Sequence, residues 1–463
     1  MVDFLINYEH KAREFDAVCL IKTELERRGY TVEFTCTYDE DRVRFIDRKP
    51  ARVVLASALY NDACLYGFVY SIAGFCKKVV NLQWEQSLTN QDESDPNFYQ
   101  NPKGYAIEAL HLCWGEEPRN RLLRAGVSPD RAVVTGPVQM DTLRPEFKDF
   151  YLHKEELASQ FGLDAGREWI LFISSFTFVN MSDEEYNKEL ECMGERLNDF
   201  RLLSIQSKQK VINWLERAIS NYPGKLFIYR PHPSENGDES LIDLEGKCRN
   251  FRIINDLSVK QWIKCCDKIL TWYSTSAAEV FFSGKSCSIL RPMEIPSEWE
   301  VSTYRNAYLI TNIDDFLDAL ERSDAPFPLD TSLVSNYYQV QQDVPAYVRV
   351  CDVLEAVLNT SGFDMRRTRP FTRLRLWVLR TRARLFYLCK EALACTDYRQ
   401  LLLENRFMVQ KVENHIAVMN RLQRDRGKNQ ASAQETAEML AKAKRGVGRF
   451  QSLMQREPIC SGK

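Results

Sequence analysis

Apolar residues in the first third of the chain gather in short runs of strand length, separated by stretches with helical spacing. Phe4 to Asn7, Thr31 to Thr35, Arg52 to Ala56, Lys78 to Leu82 and Ala109 to Cys113 are the runs. They lack the clean alternation of a half-exposed strand, which suits a parallel sheet covered on both faces. Between the first two, Ala17 to Arg28 places Val18, Ile21 and Leu25 on one helix face, and Gly29 stands where a helix ends. The order is the β-α-β alternation of a doubly wound domain.

A second series starts near residue 168. Trp169 to Ile173, Lys225 to Tyr229, Phe251 to Ile254, Lys268 to Thr271 and Ser286 to Leu290 read as strands, and Ile205 to Asn221 as a helix. Residues 146–167 connect the two series, and Ser335 to Leu358 reads as closing helices. The tail differs. Arg366, Arg369, Arg373, Arg380 and Arg384 share one helix face, beside an apolar stripe of Phe371, Leu374, Val378, Leu385 and Leu388. Leu402, Val409 and Ile416 repeat by seven, interleaved with Asn405, Val412 and Met419, which predicts a short coiled-coil seam. From Gly427 the apolar weight falls away, and residues 427–463 are expected to be frayed or disordered.

Charge sharpens this division. The net charge is −2, yet residues 366–463 carry 22 Lys and Arg against 8 Asp and Glu. A basic tail on an acidic body suggests an anionic partner. The helix over 366–393, which holds Trp377 and Phe386, has two readings: a face lying on anionic lipid, or a face packed on the body or on another chain. No nucleic-acid recognition motif accompanies the arginines. No run of about 18 apolar residues and no secretory signal pattern is found, so a cytoplasmic protein is expected, peripheral on the inner membrane under the lipid reading. The 14 cysteines include no C-x-x-C pair and read as buried free thiols.

Two turns carry candidate chemistry. In Tyr229-Arg230-Pro231-His232-Pro233-Ser234-Glu235 a strand runs into two prolines that stiffen the turn around His232. Ligands of open α/β sheets bind at that end of the strands. Arg230 can meet a phosphate there, and His232 can donate to one; a surface turn with a satisfied histidine is the plainer reading. The second turn, Ser274-Thr275-Ser276-Ala277-Ala278-Glu279, follows a strand and opens a helix, where hydroxyls cap amides and amides bind anions. Glu279 is either the acid of a capping box or a carboxylate that grips ribose hydroxyls. Ser174, at the end of the strand Trp169 to Ile173, either holds a phosphate or sits in a simple turn.

Arg-Pro-His-Pro at 230–233, the turn at 274–279 and Gly284-Lys285 resemble the nucleotide-binding half of GT-B glycosyltransferases. They are similar to the HP and S/T motifs of bacterial sialyl- and Kdo-transferases. Residues 112–116, 125–127 and 133–137 look like the end of a GT-B N-terminal domain, and residues 1–360 resemble bacterial surface carbohydrate biosynthesis proteins. CDP-glycerol transferases and UDP-N-acetylglucosamine epimerases share parts of the pattern. The acidic triplet that carries the base in some sialyltransferases is missing here.

The resemblance implies two Rossmann-like doubly wound domains facing a cleft, with a C-terminal helical tail. Residues 1–150 would form the acceptor domain, 165–330 the nucleotide-sugar domain, 331–365 the closing helices and 366–426 the tail. It implies a glycosyltransferase that moves a sugar, foremost a CMP-linked ulosonic acid such as Kdo, to a surface polysaccharide or its lipid-linked precursor. A UDP-sugar or CDP-polyol enzyme on the same fold and a non-catalytic assembly scaffold are the alternatives. Arg230, His232, Ser274, Thr275, Ser276, Glu279 and Ser174 would hold the nucleotide, with no metal and no other cofactor. A transferase also needs a group that takes the acceptor proton. Glu9 with neighbouring His10 follows the first strand; Glu85 follows the strand Lys78 to Leu82, with Trp84 beside it to stack on a sugar. Each carboxylate alone also reads as a helix N-terminal charge. Asp39-Glu40-Asp41 reads as a solvated loop, and the Asn405 seam over 398–422 suggests a homodimer.

Overall fold

A computed structural model describes residues 1–37, 49–235, 237–322, 326–341, 343–381 and 429–456. They divide into two compact units. The first comprises Met1–Gln86, Asp95–Thr142 and the chain from Tyr338 onward; the second comprises Ser87–Ser94 and Leu143–Tyr337.

Each unit is built on one six-stranded sheet in which every pairing is parallel. In the first, β1 (Val2–Tyr8), β2 (Val32–Cys36), β3 (Ala51–Ala56), β4 (Val79–Asn81), β5 (Leu110–Cys113) and β6 (Ala132–Val134) run in the order β2-β1-β3-β4-β5-β6. In the second, β7 (Trp169–Ile173), β8 (Leu226–Arg230), β9 (Phe251–Ile253), β10 (Lys268–Thr271), β11 (Ser288–Leu290) and β12 (Leu309–Ile310) run in the order β12-β11-β10-β7-β8-β9. This is the α/β pair of doubly wound units expected of a GT-B chain, followed by a C-terminal helix. Strands β6 and β12 have no counterpart among the predicted strands, being only three and two residues long.

Burial explains the missing alternation. All five residues of β7 and of β8 are buried, because helices cover both faces of a parallel sheet. In the first unit the helix Lys11–Arg27 lays Phe15, Val18, Ile21 and Leu25 on the sheet. Gly29, at φ +94°, closes it with a Schellman turn: its amide donates to Glu26 O at 3.0 Å, and the Tyr30 amide donates to Leu25 O at 3.1 Å.

The tail corrects one expectation. Residues from 427 onward are not frayed throughout: Ala433–Arg456 is a helix. It starts in a capping box, with the Glu435 amide donating to Ser432 Oγ and the Ser432 amide to Glu435 Oε2. Ala443, Val447 and Phe450 are buried, and the Phe450 ring meets Tyr347 edge-on at 6.3 Å. Three docking residues are too few to show against a polar background.

Of the two readings of the arginine face, packing on the body is the one seen. Among the described residues of 366–381 it turns to the body: Arg366 pairs with Asp130 at 2.6 Å, Arg369 with Asp62 at 3.4 Å, and Arg373 lies over the Phe75 ring. The stripe residues Phe371, Leu374 and Val378 are exposed instead, with Trp377. Arg384, Phe386, Leu385 and Leu388, the seam over 398–422 with Asn405, and Asp39 to Asp41 lie outside the described residues. No helix of the described residues is long and apolar enough to cross a membrane.

Docking of the tail helix is tested by Phe450→Ala. A buried phenylalanine truncated to alanine is expected to cost about 3 kcal/mol, measured by urea unfolding. An unchanged midpoint would mean that the helix does not pack in solution.

Candidate functional site

The second sheet reverses its winding between β7 and β10, since β8 and β9 extend to one side of β7 and β10, β11 and β12 to the other. At such a switch point the loops leaving the strands diverge and open a crevice at their carboxyl ends. Those loops hold Ser174 and Ser175 after β7, His232 to Glu235 after β8, and Trp272 to Ser276 after β10. Arg230, Ile173 and Thr271 stand level across β8, β7 and β10, about 10 Å from first to last. The structure therefore brings the two predicted turns to one sheet edge, on either side of β7.

The histidine turn is anchored by a carboxylate. Glu235 is buried and accepts from Ser174 Oγ at 2.5 Å, from Tyr229 Oη at 2.9 Å, from Lys208 Nζ at 2.9 Å and from the His232 amide at 3.2 Å. Tyr229 Oη also lies 2.8 Å from Ser174 Oγ, and burial holds its phenol far above the ordinary range. Lys208 pairs in addition with Asp238 at 2.8 Å. Asp238 caps the helix Glu239–Lys247. Burial pushes the Asp238 carboxyl up, but the Lys208 and Ser240 hydrogen bonds and the Lys208 charge outweigh it and hold it at about 2. His232 is exposed on this anchored turn, and its Nδ1 accepts from the Ser234 amide at 3.1 Å. Ser174 is thus a partner of Glu235, a structural role beside the predicted one.

Arg230 does not point a guanidinium at the crevice. It is buried and donates to the carbonyls of Asp256, at 2.7 Å, and Leu257 in the loop after β9. Leu257 stands at φ +65°, a left-handed turn that a branched residue adopts only when its surroundings impose it. Burial lowers the Arg230 pKa to about 10, so it stays charged at neutral pH. Its charge serves the fold of that loop, which corrects its assignment to a phosphate.

The serine turn is held from below. Tyr273 N donates to Ser175 Oγ at 3.2 Å, linking the loops on both sides of the switch point. Phe176 and Trp272 stack between the same loops at 4.4 Å. Buried Arg291 donates to Trp272 O at 3.1 Å and clamps Glu300 at 2.6 and 3.3 Å, and Tyr304 Oη donates to Ser274 O at 2.6 Å. Ser276 stands at the N-cap of the helix Ala277–Phe282 but makes no capping hydrogen bond; Ser274 Oγ instead accepts from the Ser276 amide at 3.2 Å. Ser274, Thr275, Ser276 and Glu279 are half-buried at the edge. Lys208, Tyr229, Arg291, Glu300 and Tyr304 were not among the predicted site residues. Of these anchoring groups only Tyr229 and Glu235, both within the histidine turn read from the sequence, had a visible signal.

In the first unit the corresponding edge is set by Asn7, whose Oδ1 accepts from Thr37 Oγ1 and Ser57 Oγ at 2.8 Å each, tying the ends of β1, β2 and β3. Glu9 and His10 follow, with His10 Nε2 3.8 Å from Glu9 Oε1. The tail reaches this place: Asn429 Oδ1 lies 3.1 Å from His10 Nδ1, and Lys11 pairs with Glu435 at 2.7 Å. Glu14 is the buried carboxylate here, accepting from the Glu9 amide at 2.6 Å, and burial raises its pKa. Glu85 is half-exposed and bound by Arg13 at 2.9 Å. Trp84 is buried, so it is no open stacking platform. Gln83, buried at φ +41°, has an Nε2 without a hydrogen-bond partner among the described residues. Among those residues no cluster of three or more His, Cys, Asp or Glu could hold a metal ion.

No protein-family model and no curated protein matches the sequence. Solved structures do show a likeness. S. aureus MnaA in a co-structure with UDP is 14% identical over 78% of this chain and 97% of its own, with a TM-score of 0.47. UDP-GlcNAc 2-epimerase from Neisseria meningitidis bound to UDP-GlcNAc is 13% identical over 77% and 100%, at 0.47. The Methanocaldococcus jannaschii UDP-GlcNAc 2-epimerase in complex with UDP-GlcNAc and UDP is 13% identical over 76% and 99%, at 0.46.

The Asp238 anchor has a pH signature. Its folded pKa lies below the ordinary 3.8, so its stabilisation is complete above about pH 4 and is lost as pH falls towards about 2. Acid unfolding followed by circular dichroism is expected to show that Asp238→Asn is less stable at neutral pH and has a shallower acid slope. Equal slopes would remove the anchor.

Proposed function

We propose that the chain is a nucleotide-sugar-dependent glycosyltransferase whose second unit holds the donor's nucleotide on the loops after β7, β8 and β10. The observation that supports this is their convergence at the switch point, with His232, Ser274, Thr275 and Ser276 at the edge and an anchoring layer beneath them. Preorganised neutral donors suit a phosphate whose charge grows as the sugar leaves. Glu279 is assigned to the ribose hydroxyls.

The donor class follows from where the cations are spent. Arg230 serves carbonyls, Arg291 clamps Glu300, and Lys208 joins Glu235 and Asp238. A site relying on neutral donors matches the single phosphodiester of a CMP-sugar better than a diphosphate, which supports a CMP-linked ulosonic acid. In the transfer, the acceptor oxygen bonds to the anomeric carbon and its proton passes to a carboxylate general base. The electron pair of the breaking carbon–oxygen bond leaves with the nucleotide phosphate.

Thermal-shift titration with CMP, CDP, UDP and GDP tests this. CMP is expected to stabilise the protein, and His232→Ala to weaken CMP binding about 10- to 100-fold, the range of a hydrogen bond to a charged group. Stabilisation by UDP alone would move the chain to the UDP-sugar enzymes; stabilisation by none would leave a scaffold. Unchanged affinity in His232→Ala would take that residue out of the site.

A lipid-linked acceptor is supported by the exposed face of Phe371, Leu374, Trp377 and Val378 beside exposed Arg375. Aromatic and aliphatic groups next to arginine suit an anionic bilayer surface. Co-flotation with phosphatidylglycerol vesicles is expected, and Trp377→Ser should reduce it severalfold. Flotation that ignores this substitution would overturn the membrane reading.

A further inference from the structure

Beside the serine turn, wholly within the second unit, lies a cavity of ≈ 140 Å³. Phe200 is its buried hub. Phe178 meets Phe200 at 5.5 Å and 84°, Trp299 meets it at 6.1 Å and 85°, and Tyr273 at 5.3 Å and 57°. Arg196 and Asp92 complete the lining. Both Arg196 bonds to Asp92, at 3.1 Å, land on Oδ1, which leaves Oδ2 without a hydrogen bond among the described residues.

We propose that this pocket binds a neutral hexopyranose ring, taking its C–H faces on the aromatic walls and one hydroxyl on Asp92 Oδ2. A cavity of about 150 Å³ accepts one benzene ring, so the enclosed space suffices for the ring atoms of a pyranose, with its exocyclic groups standing at the mouth. Wall geometry then selects among rings. Phe178, Trp299 and Tyr273 stand inclined to Phe200 by 57° or more, so the C–H groups of a thick, saturated ring can meet more than one aromatic face. Aromatic cages also take organic cations, but the Arg196 guanidinium opposes one here. The Arg196–Asp92 pair leaves the pocket close to neutral, which disfavours an acidic sugar as well. Apolar walls with one placed acceptor are the makeup of a small-molecule site.

Tyr273 joins this pocket to the crevice, since its amide bonds Ser175 at the switch point. The pocket therefore fits the acceptor glycan's terminal sugar rather than the acidic sugar of the donor. The proposal rests on the nucleotide-sugar reading for the ring's neighbour, not for the ring itself.

Saturation-transfer NMR on the full chain with methyl β-D-glucopyranoside and methyl N-acetyl-β-D-glucosaminide tests it, with uridine as the planar control. Transfer from at least one glycoside is expected. Phe178→Ala, at a half-buried wall position, should lower it about tenfold by removing a stacking face. Asp92→Asn should lower it too, and serves if the first variant fails to fold. No transfer to the wild type, transfer that survives both substitutions, or a uridine signal that they alone remove would each overturn the proposal. CMP melting shifts on the same samples separate the readings: shifts without glycoside transfer sink the pocket alone, and glycoside transfer without shifts sinks the nucleotide site alone.

Discussion

A parallel sheet delivers its loops to one edge, but something must hold them there, and in the second unit that is the buried Glu235 carboxylate. It gathers Ser174, Tyr229, Lys208 and the His232 amide around one charge. Lys208 and Glu235 are each almost fully buried, so removing either strands a charge of the other sign, typically at a cost of about 3–5 kcal/mol. The histidine turn is therefore rigid before any ligand arrives. A turn held in place beforehand loses less ordering entropy on association with a ligand.

The same logic runs through the serine turn, with different atoms. Arg291 and Glu300 form a buried bidentate pair, and the pair supports Trp272 through its carbonyl. Burial raises the Glu300 pKa while Arg291 opposes it. These charges act one layer beneath the edge and reach a ligand only through the backbone they position. With Arg291, Lys208 and Arg230 engaged in these anchors, His232 and the hydroxyls of Ser274, Thr275 and Ser276 stand at the carboxyl ends of the strands.

Strands were legible because covered parallel strands are continuous apolar runs, and most observed ends lie within two residues of the expected ones. The short β6 and β12 carried too little apolar weight to read. The two turns were legible from proline and hydroxyl spacing. Their partners were not, because Lys208, Arg291 and Tyr304 sit 19 to 30 residues from the groups they hold, on elements whose pattern reports only helix, strand or loop. Arg230 shows the limit of motif reading: its place at the strand end is as expected, but its side chain found two carbonyls first. The tail helix Ala433–Arg456 shows the reverse, a polar segment ordered by a capping box and three apolar contacts.

Hydrogen–deuterium exchange with and without saturating CMP tests the central claim most directly. The amides of 174–176, 232–235 and 274–277 should gain protection together, while those of the tail helix stay as they were. Protection confined to other segments, or none, would contradict a nucleotide site at the switch point of the second sheet.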